Sequence, residues 1–265
     1  MESIIREFIT GIEKGPFKCL RDYEGNTASA YIPEQNKDLG DIYDCAVYQA
    51  WLDMCRKLPD AGKGKKEQCK EARNIIADAL RKYFQEDAKE KCAFDEWHFR
   101  ISTHNNIKEV LNVGMAQKII NMAMKYLFCC EDILQDHKDH FVYCHIPLDS
   151  LILDWLNGEC AKEYKAIYKD IKWSQIVEYD DYKCTQEEVR RILGERDILR
   201  QEFSIWQDEN TLEFVKSIVK IRDDKLCPCN LSCELNDFVK GLTSHISKES
   251  IRHKAERAIN RKSKH

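Results

Sequence analysis

The chain has 265 residues, 43% hydrophobic and 33% charged, which excludes an intrinsically disordered protein and allows one large domain or two small ones. With 10 Gly and 5 Pro it does not read as a turn-rich β-sandwich, and a net charge of −4 excludes a uniformly basic nucleic-acid coat. The first residues carry no basic stretch leading into an apolar core, so no secretory signal is expected. The most apolar run, Ile119 to Cys130, is broken by Lys125 and is too short to span a bilayer. A cytoplasmic setting without membrane contact is therefore expected, with the 13 Cys mostly acting as small core residues.

In chain order, Tyr23, Gly25 and Tyr31 leave room for a short ribbon near Phe17–Ile32. From Ile42, the residues Cys45, Ala46, Leu52 and Cys55 recur as one helical stripe. The glycine- and lysine-rich stretch Leu58–Lys66 predicts an exposed loop. Ile75, Ile76, Ala79, Leu80, Tyr83 and Phe84 form a second stripe, and Val110–Phe128 is apolar on most sides, as a central buried helix would be. Trp173, Tyr179 and Tyr182 predict a staple before a helix that Thr185 and Glu188 open as a capping box, running toward Phe203. Leu212, Val215, Ile218 and Val219 make a further stripe, and Leu235–Asn260 predicts one or two terminal helices. No segment alternates apolar and polar residues as a half-buried strand does. The prediction is an all-α, bundle-like fold: a helical domain over 1–239, in one or two lobes, then a basic C-terminal helix or tail over 240–265. That tail holds eight Lys/Arg against two Glu, a net +6 that leaves −10 on the rest. It reads either as a solvated, frayed end or as a phosphate-binding arm.

The most informative stretch is Val110–Phe128. Gly114 separates two helical patterns, so it is expected to end one helix and let the next begin with outward-facing amides suited to a phosphate. Lys118 follows in the first turn of a strongly apolar helix, where desolvation would favour its free amine. Downstream, Pro147 predicts a helix start with Asp149 in its first turn. A carboxylate there, close to a buried lysine, would make an acid–base pair. The plainer alternative makes Gln117, Lys118, Asn121 and Lys125 a solvated polar stripe, with Asp149 balancing its own helix.

Taken together, the glycine, the lysine heading an apolar helix and the Ile146-Pro147-Leu148-Asp149 step resemble the helix-hairpin-helix DNA glycosylases, most of all the bifunctional 8-oxoguanine branch. The resemblance covers roughly residues 104–156, with the hairpin at about 104–128. It implies an all-helical glycosylase/AP lyase of DNA repair, needing no cofactor. Lys118 would be the Schiff-base nucleophile on the sugar C1′ and Asp149 its assistant. Gly114, Gln117 and Lys125, with Arg252, Lys254 and Arg257 of the basic tail, are the candidate DNA contacts. The damaged base would need an aromatic wall, for which Trp51, Trp97, Phe141, Tyr143 and Trp155 are candidates.

Two other classes stay open. A non-catalytic helical protein that binds a protein or nucleic acid, in a mobile-element or defence setting, would need none of this chemistry. A metal enzyme would draw on His137, His140, Cys144 and His145, or on Cys227, Cys229 and Cys233 with His245. Both sets lack a standard paired framework, and Cys129 and Cys130 read as core.

Overall fold

The first described helix is opened by a reciprocal cap. The Asp41 carboxylate accepts the backbone N–H groups of Tyr43 and Asp44, at 2.9 and 3.1 Å, and the Asp44 carboxylate accepts the N–H of Asp41 at 3.2 Å. The structure, a computed structural model, describes residues 40–160, 171–223 and 238–260. The predicted ribbon at 17–32 and the cysteines Cys227, Cys229 and Cys233 lie outside those residues.

Among the described residues the regular elements are all helices: α1 (Ile42–Lys57), α2 (Lys66–Gln85), α3 (Lys91–Ser102), α4 (Asn105–Lys108), α5 (Val113–Phe128), α6 (Glu131–His137), α7 (Ser150–Cys160), α8 (Tyr179–Leu193), α9 (Ile198–Asp223) and α10 (Glu249–Asn260). Residues 238–244 are also helical, and short 3-10 turns occupy Lys138–Phe141 and Trp173–Gln175. The fold is all-α. No helix among these residues is long and apolar enough to cross a membrane.

The described residues form two compact units: 40–150 with 171–201, and 151–160 with 202–223 and 238–260. In the first, α5 is the central element, and every residue of it except Met115 is buried. It packs on α1, and also against α3, α8 and the turn at Trp173–Gln175. The predicted loop is the turn between α1 and α2. The α1 stripe differs from the expected one. Leu52 and Cys55 are only half-buried, because the contact line passes through Val47, Ala50, Trp51 and Met54 toward α5. The helix expected to open at Thr185 begins earlier, at Tyr179. Thr185 sits inside α8 with its hydroxyl donating to the Asp181 carbonyl at 2.9 Å, so it turns back on its own helix instead of capping one. Asp180 and Asp181 occupy the first turn, where the helix dipole favours them.

In the second unit, α9 buries Leu212, Val215, Ile218 and Val219 as expected. The buried Asp208 carboxylate closes the turn between residues 238–244 and α10. It accepts the Ser247 N–H (3.1 Å) and hydroxyl (2.6 Å) and the Lys248 N–H (2.7 Å). The basic C-terminal stretch is thus integrated into this unit through residue 260.

Candidate active site on α5

The head of α5 is built by Asn112 and Gly114. Asn112 caps the helix by accepting the Met115 N–H at 2.9 Å, and its amide donates to the Ser174 carbonyl at 2.7 Å. The Gly114 N–H donates to the Ile176 carbonyl at 2.9 Å, and a β-carbon at residue 114 would lie 1.8 Å from the Trp173 carbonyl oxygen. Gly114 is therefore a close-approach residue inside α5 and does not turn the chain. Its amide is occupied, as are those of Met115 and Ala116, which bond Asn112. The expected phosphate cradle at Gly114 is thereby corrected.

The polar face of α5 is not solvated. Gln117 and Asn121 are fully buried, Lys125 is 1% exposed and Lys118 8%. Gln117 donates to the Leu148 carbonyl at 3.1 Å and accepts the Leu148 N–H at 3.2 Å, while Asn121 donates to the Ile146 carbonyl at 3.2 Å. The two amides grip the extended segment 144–149 as a neighbouring strand would. That grip delivers Asp149 to Lys118, whose Nζ donates to Asp149 Oδ2 at 2.8 Å. Asp149 directly precedes α7; it does not lie in its first turn. As DNA contacts, Gln117 and Lys125 are corrected: both are buried in the core of the unit.

Beneath this grip runs a buried polar chain. Asp95 and His98 come from α3, His145 from the gripped segment, and Tyr179, Tyr182, Gln186 and Arg190 from α8. Arg190 donates to both carboxylate oxygens of Asp95, at 2.9 and 3.1 Å. His145 Nε2 meets Asp95 Oδ1 at 2.8 Å, and the Tyr182 hydroxyl meets His145 Nδ1 at 2.7 Å and accepts from the Asn121 amide at 2.9 Å. His98 Nε2 meets Asn121 Oδ1 at 3.1 Å. Both imidazoles fit these partners in the neutral state. Burial lowers His145 to about 4, against the pull of Asp95, and lowers His98 well below the ordinary histidine value. Burial works against the Asp95 carboxylate, but hydrogen bonds from His145 and Arg190 outweigh it and hold the carboxylate well below its usual range. Sequence reading missed this chain. Its trace was the helical spacing of Tyr179, Tyr182, Gln186 and Arg190, a polar stripe facing inward on α8.

The metal candidates His137, His140, Cys144 and His145 do not converge. Both ring nitrogens of His145 are taken by Tyr182 and Asp95, His140 Nε2 donates to the Glu86 carbonyl at 2.8 Å, and the Cys144 thiol turns to the His140 carbonyl. His137 packs edge-on against Phe84 and His140. Among the described residues no group of three His, Cys, Asp or Glu side chains could hold a metal ion. Of the proposed aromatic walls, Trp51, Trp97, Phe141 and Trp155 are core residues, and Tyr143 carries the Arg196 guanidinium over its ring.

In the second unit, Lys254 turns inward. Its Nζ donates to Glu209 at 3.1 Å and to the Asp154 carbonyl at 2.9 Å, so it braces the unit and is corrected as a DNA contact. Arg257 is exposed, with Nε donating to the His253 carbonyl one turn back. Arg252 faces a groove described below. No protein-family profile, curated protein or solved structure matches the chain.

Proposed function

We propose that this protein is a cytoplasmic DNA-repair glycosylase with AP-lyase activity, using Lys118 as nucleophile and Asp149 as its partner. The observation that carries the reading is the 2.8 Å contact between a nearly buried lysine and a carboxylate held on a separate, rigidly gripped segment. A lysine can act only as the free amine, and a carboxylate at hydrogen-bond range can take its proton. The amine then bonds to the sugar C1′ as the bond from C1′ to the base breaks and the base leaves with its electron pair. Ring opening gives an imine. Loss of a C2′ proton expels the 3′ phosphate and cuts the strand.

Borohydride tests this directly, because hydride adds to the imine carbon and fixes the adduct as a secondary amine. Duplexes carrying 8-oxoguanine or an abasic site should yield a covalent adduct that Lys118→Ala abolishes and Asp149→Asn reduces by about 10²-fold or more, the range of a lost proton-transfer partner. No adduct with either lesion sinks the reading. It would leave Lys118–Asp149 as the structural ion pair of a non-catalytic helical binding protein.

A further inference from the structure

The second unit carries a groove of about 360 Å³ between the helical residues 238–244 and α10, lined by Lys240, Thr243, Ser244, Arg252, Glu256 and Asn260. Its floor is fixed, because Asp208 pins the turn joining the two helices and Lys254 ties α10 back to Glu209. Arg252 rises from the first turns of α10 into the groove. Its Nε is shielded from solvent and has no hydrogen-bond partner, although Glu256 stands one turn away on the same helix. A buried guanidinium N–H without an acceptor is an unmet demand for an oxygen. Lys240 supplies a second cation to the lining of the groove. Lys240, Arg252 and Arg257 belong to the C-terminal stretch that carries a net +6.

We infer that this groove is a phosphate clamp, in which Lys240 and Arg252 hold the phosphodiester backbone of DNA. The choice of DNA as the phosphate carrier rests on the function proposed above; the phosphate chemistry of the groove does not. Arginine suits the role through its forked donors and lysine through its point charge. A backbone contact of this kind fixes position without reading sequence. The groove shares no residue with the Lys118–Asp149 pair, so duplex binding and the lysine chemistry can fail independently.

The test uses the full chain, with Lys118→Ala present so that no covalent step intervenes, and an undamaged duplex followed by fluorescence anisotropy across a salt series. Arg252→Gln and Lys240→Gln should each weaken binding at moderate salt about tenfold. Each should also lower the slope of log K against log salt by about one, as for any lost phosphate contact. Glu256→Gln should tighten binding about threefold at low salt, since it removes a repelling charge, and this gain cannot come from misfolding. Unchanged affinity and slope in both cation variants would overturn the inference. So would binding of millimolar inorganic phosphate that is lost in Arg252→Gln while duplex affinity stays the same, which would mark a free-phosphate site. Weakened duplex binding in these variants, with no borohydride adduct in the parent chain, would support the clamp and sink only the lyase reading.

Discussion

Replacing Gly114 with alanine separates a packing glycine from a turning one. The added methyl would stand 1.8 Å from the Trp173 carbonyl oxygen and 3.2 Å from the Ile176 side chain. The first is a clash with backbone, which no rotamer change relieves. The helix head and the 171–176 segment must move apart by more than an ångström, and the bond from the Gly114 N–H to Ile176 stretches beyond its 2.9 Å. Overpacking of this kind costs about 1–3 kcal/mol and the lost hydrogen bond about 1 more, so destabilisation of about 2–4 kcal/mol is expected. For a urea dependence of about 2 kcal/mol per molar, the unfolding midpoint should fall by about 1–2 M. Lys118 lies one turn further along α5, and the same displacement should pull it from Asp149. Adduct formation should then fall about 10²-fold, as expected for a misplacement of about 1 Å. Gly241→Ala is the control: nothing lies within 4 Å of the new methyl, and helical alanine is preferred to glycine. A Gly114→Ala protein with the parent midpoint would refute the close-approach argument.

Three further outcomes follow from the same geometry. Gln117→Leu leaves both polar groups of Leu148 without their partner, and should cost about 2–4 kcal/mol in urea unfolding; a loss below 0.5 kcal/mol would show that the grip contributes nothing. Asp149→Ala strands a nearly buried ammonium and should destabilise more than Lys118→Met, which replaces the lysine with an apolar chain; the reverse order in thermal melts would count against the pair as described. Acid should unfold the protein early. The folded state keeps His145 neutral down to about 4, whereas the unfolded chain takes up a proton below 6.5, so stability complete above pH 6.5 is lost as pH falls toward 4, by up to about 3 kcal/mol. His98 acts in the same direction, and Asp95, held low by His145 and Arg190 against burial, adds a loss below the ordinary carboxylate range. A urea midpoint that stays flat from pH 7 to 5 would contradict neutral, buried imidazoles.

Periodicity made the helices legible, because an amphipathic helix announces its buried face every three or four residues. α2 follows its predicted stripe almost residue for residue, with Ile76, Leu80, Tyr83 and Phe84 inside. On α5 the rule rightly marked a buried central helix, and only the alternative of a solvated stripe fails. Gln117, Asn121 and Lys125 repeat at helical spacing and so resemble a wet face, yet all three are buried, and a separate extended segment supplies hydrogen bonds to Gln117 and Asn121. Sequence spacing cannot show that a distant backbone will satisfy a side chain. Thr185 illustrates the converse, since a residue that caps helices can equally bond its own helix from within. The residues offered Lys118 and Asp149 as an acid–base pair and the family resemblance gave them roles, but neither shows how the two meet. What brings the two side chains together is the Gln117–Leu148 contact, for which the residues alone gave no sign. In the tail, charge counting marked the basic region but could not tell the inward Lys254 from the groove residue Arg252.

The grip of α5 on the segment ahead of Asp149 also sets its register. Four helical residues, about 6.0 Å, carry Gln117 to Asn121, while two residues of extended chain, about 6.6 Å, separate Leu148 from Ile146, so the two ladders nearly match and run antiparallel. Between the paired residues stands Pro147, which has no N–H. If the segment slipped by one residue, the proline would face Gln117 and leave its carbonyl oxygen without the backbone donor that Leu148 now provides. The imino acid thus works as a stop that forbids the neighbouring alignment. The residue beside Lys118 is then Asp149 and not Leu148, a choice made by a missing hydrogen rather than by any contact with the lysine.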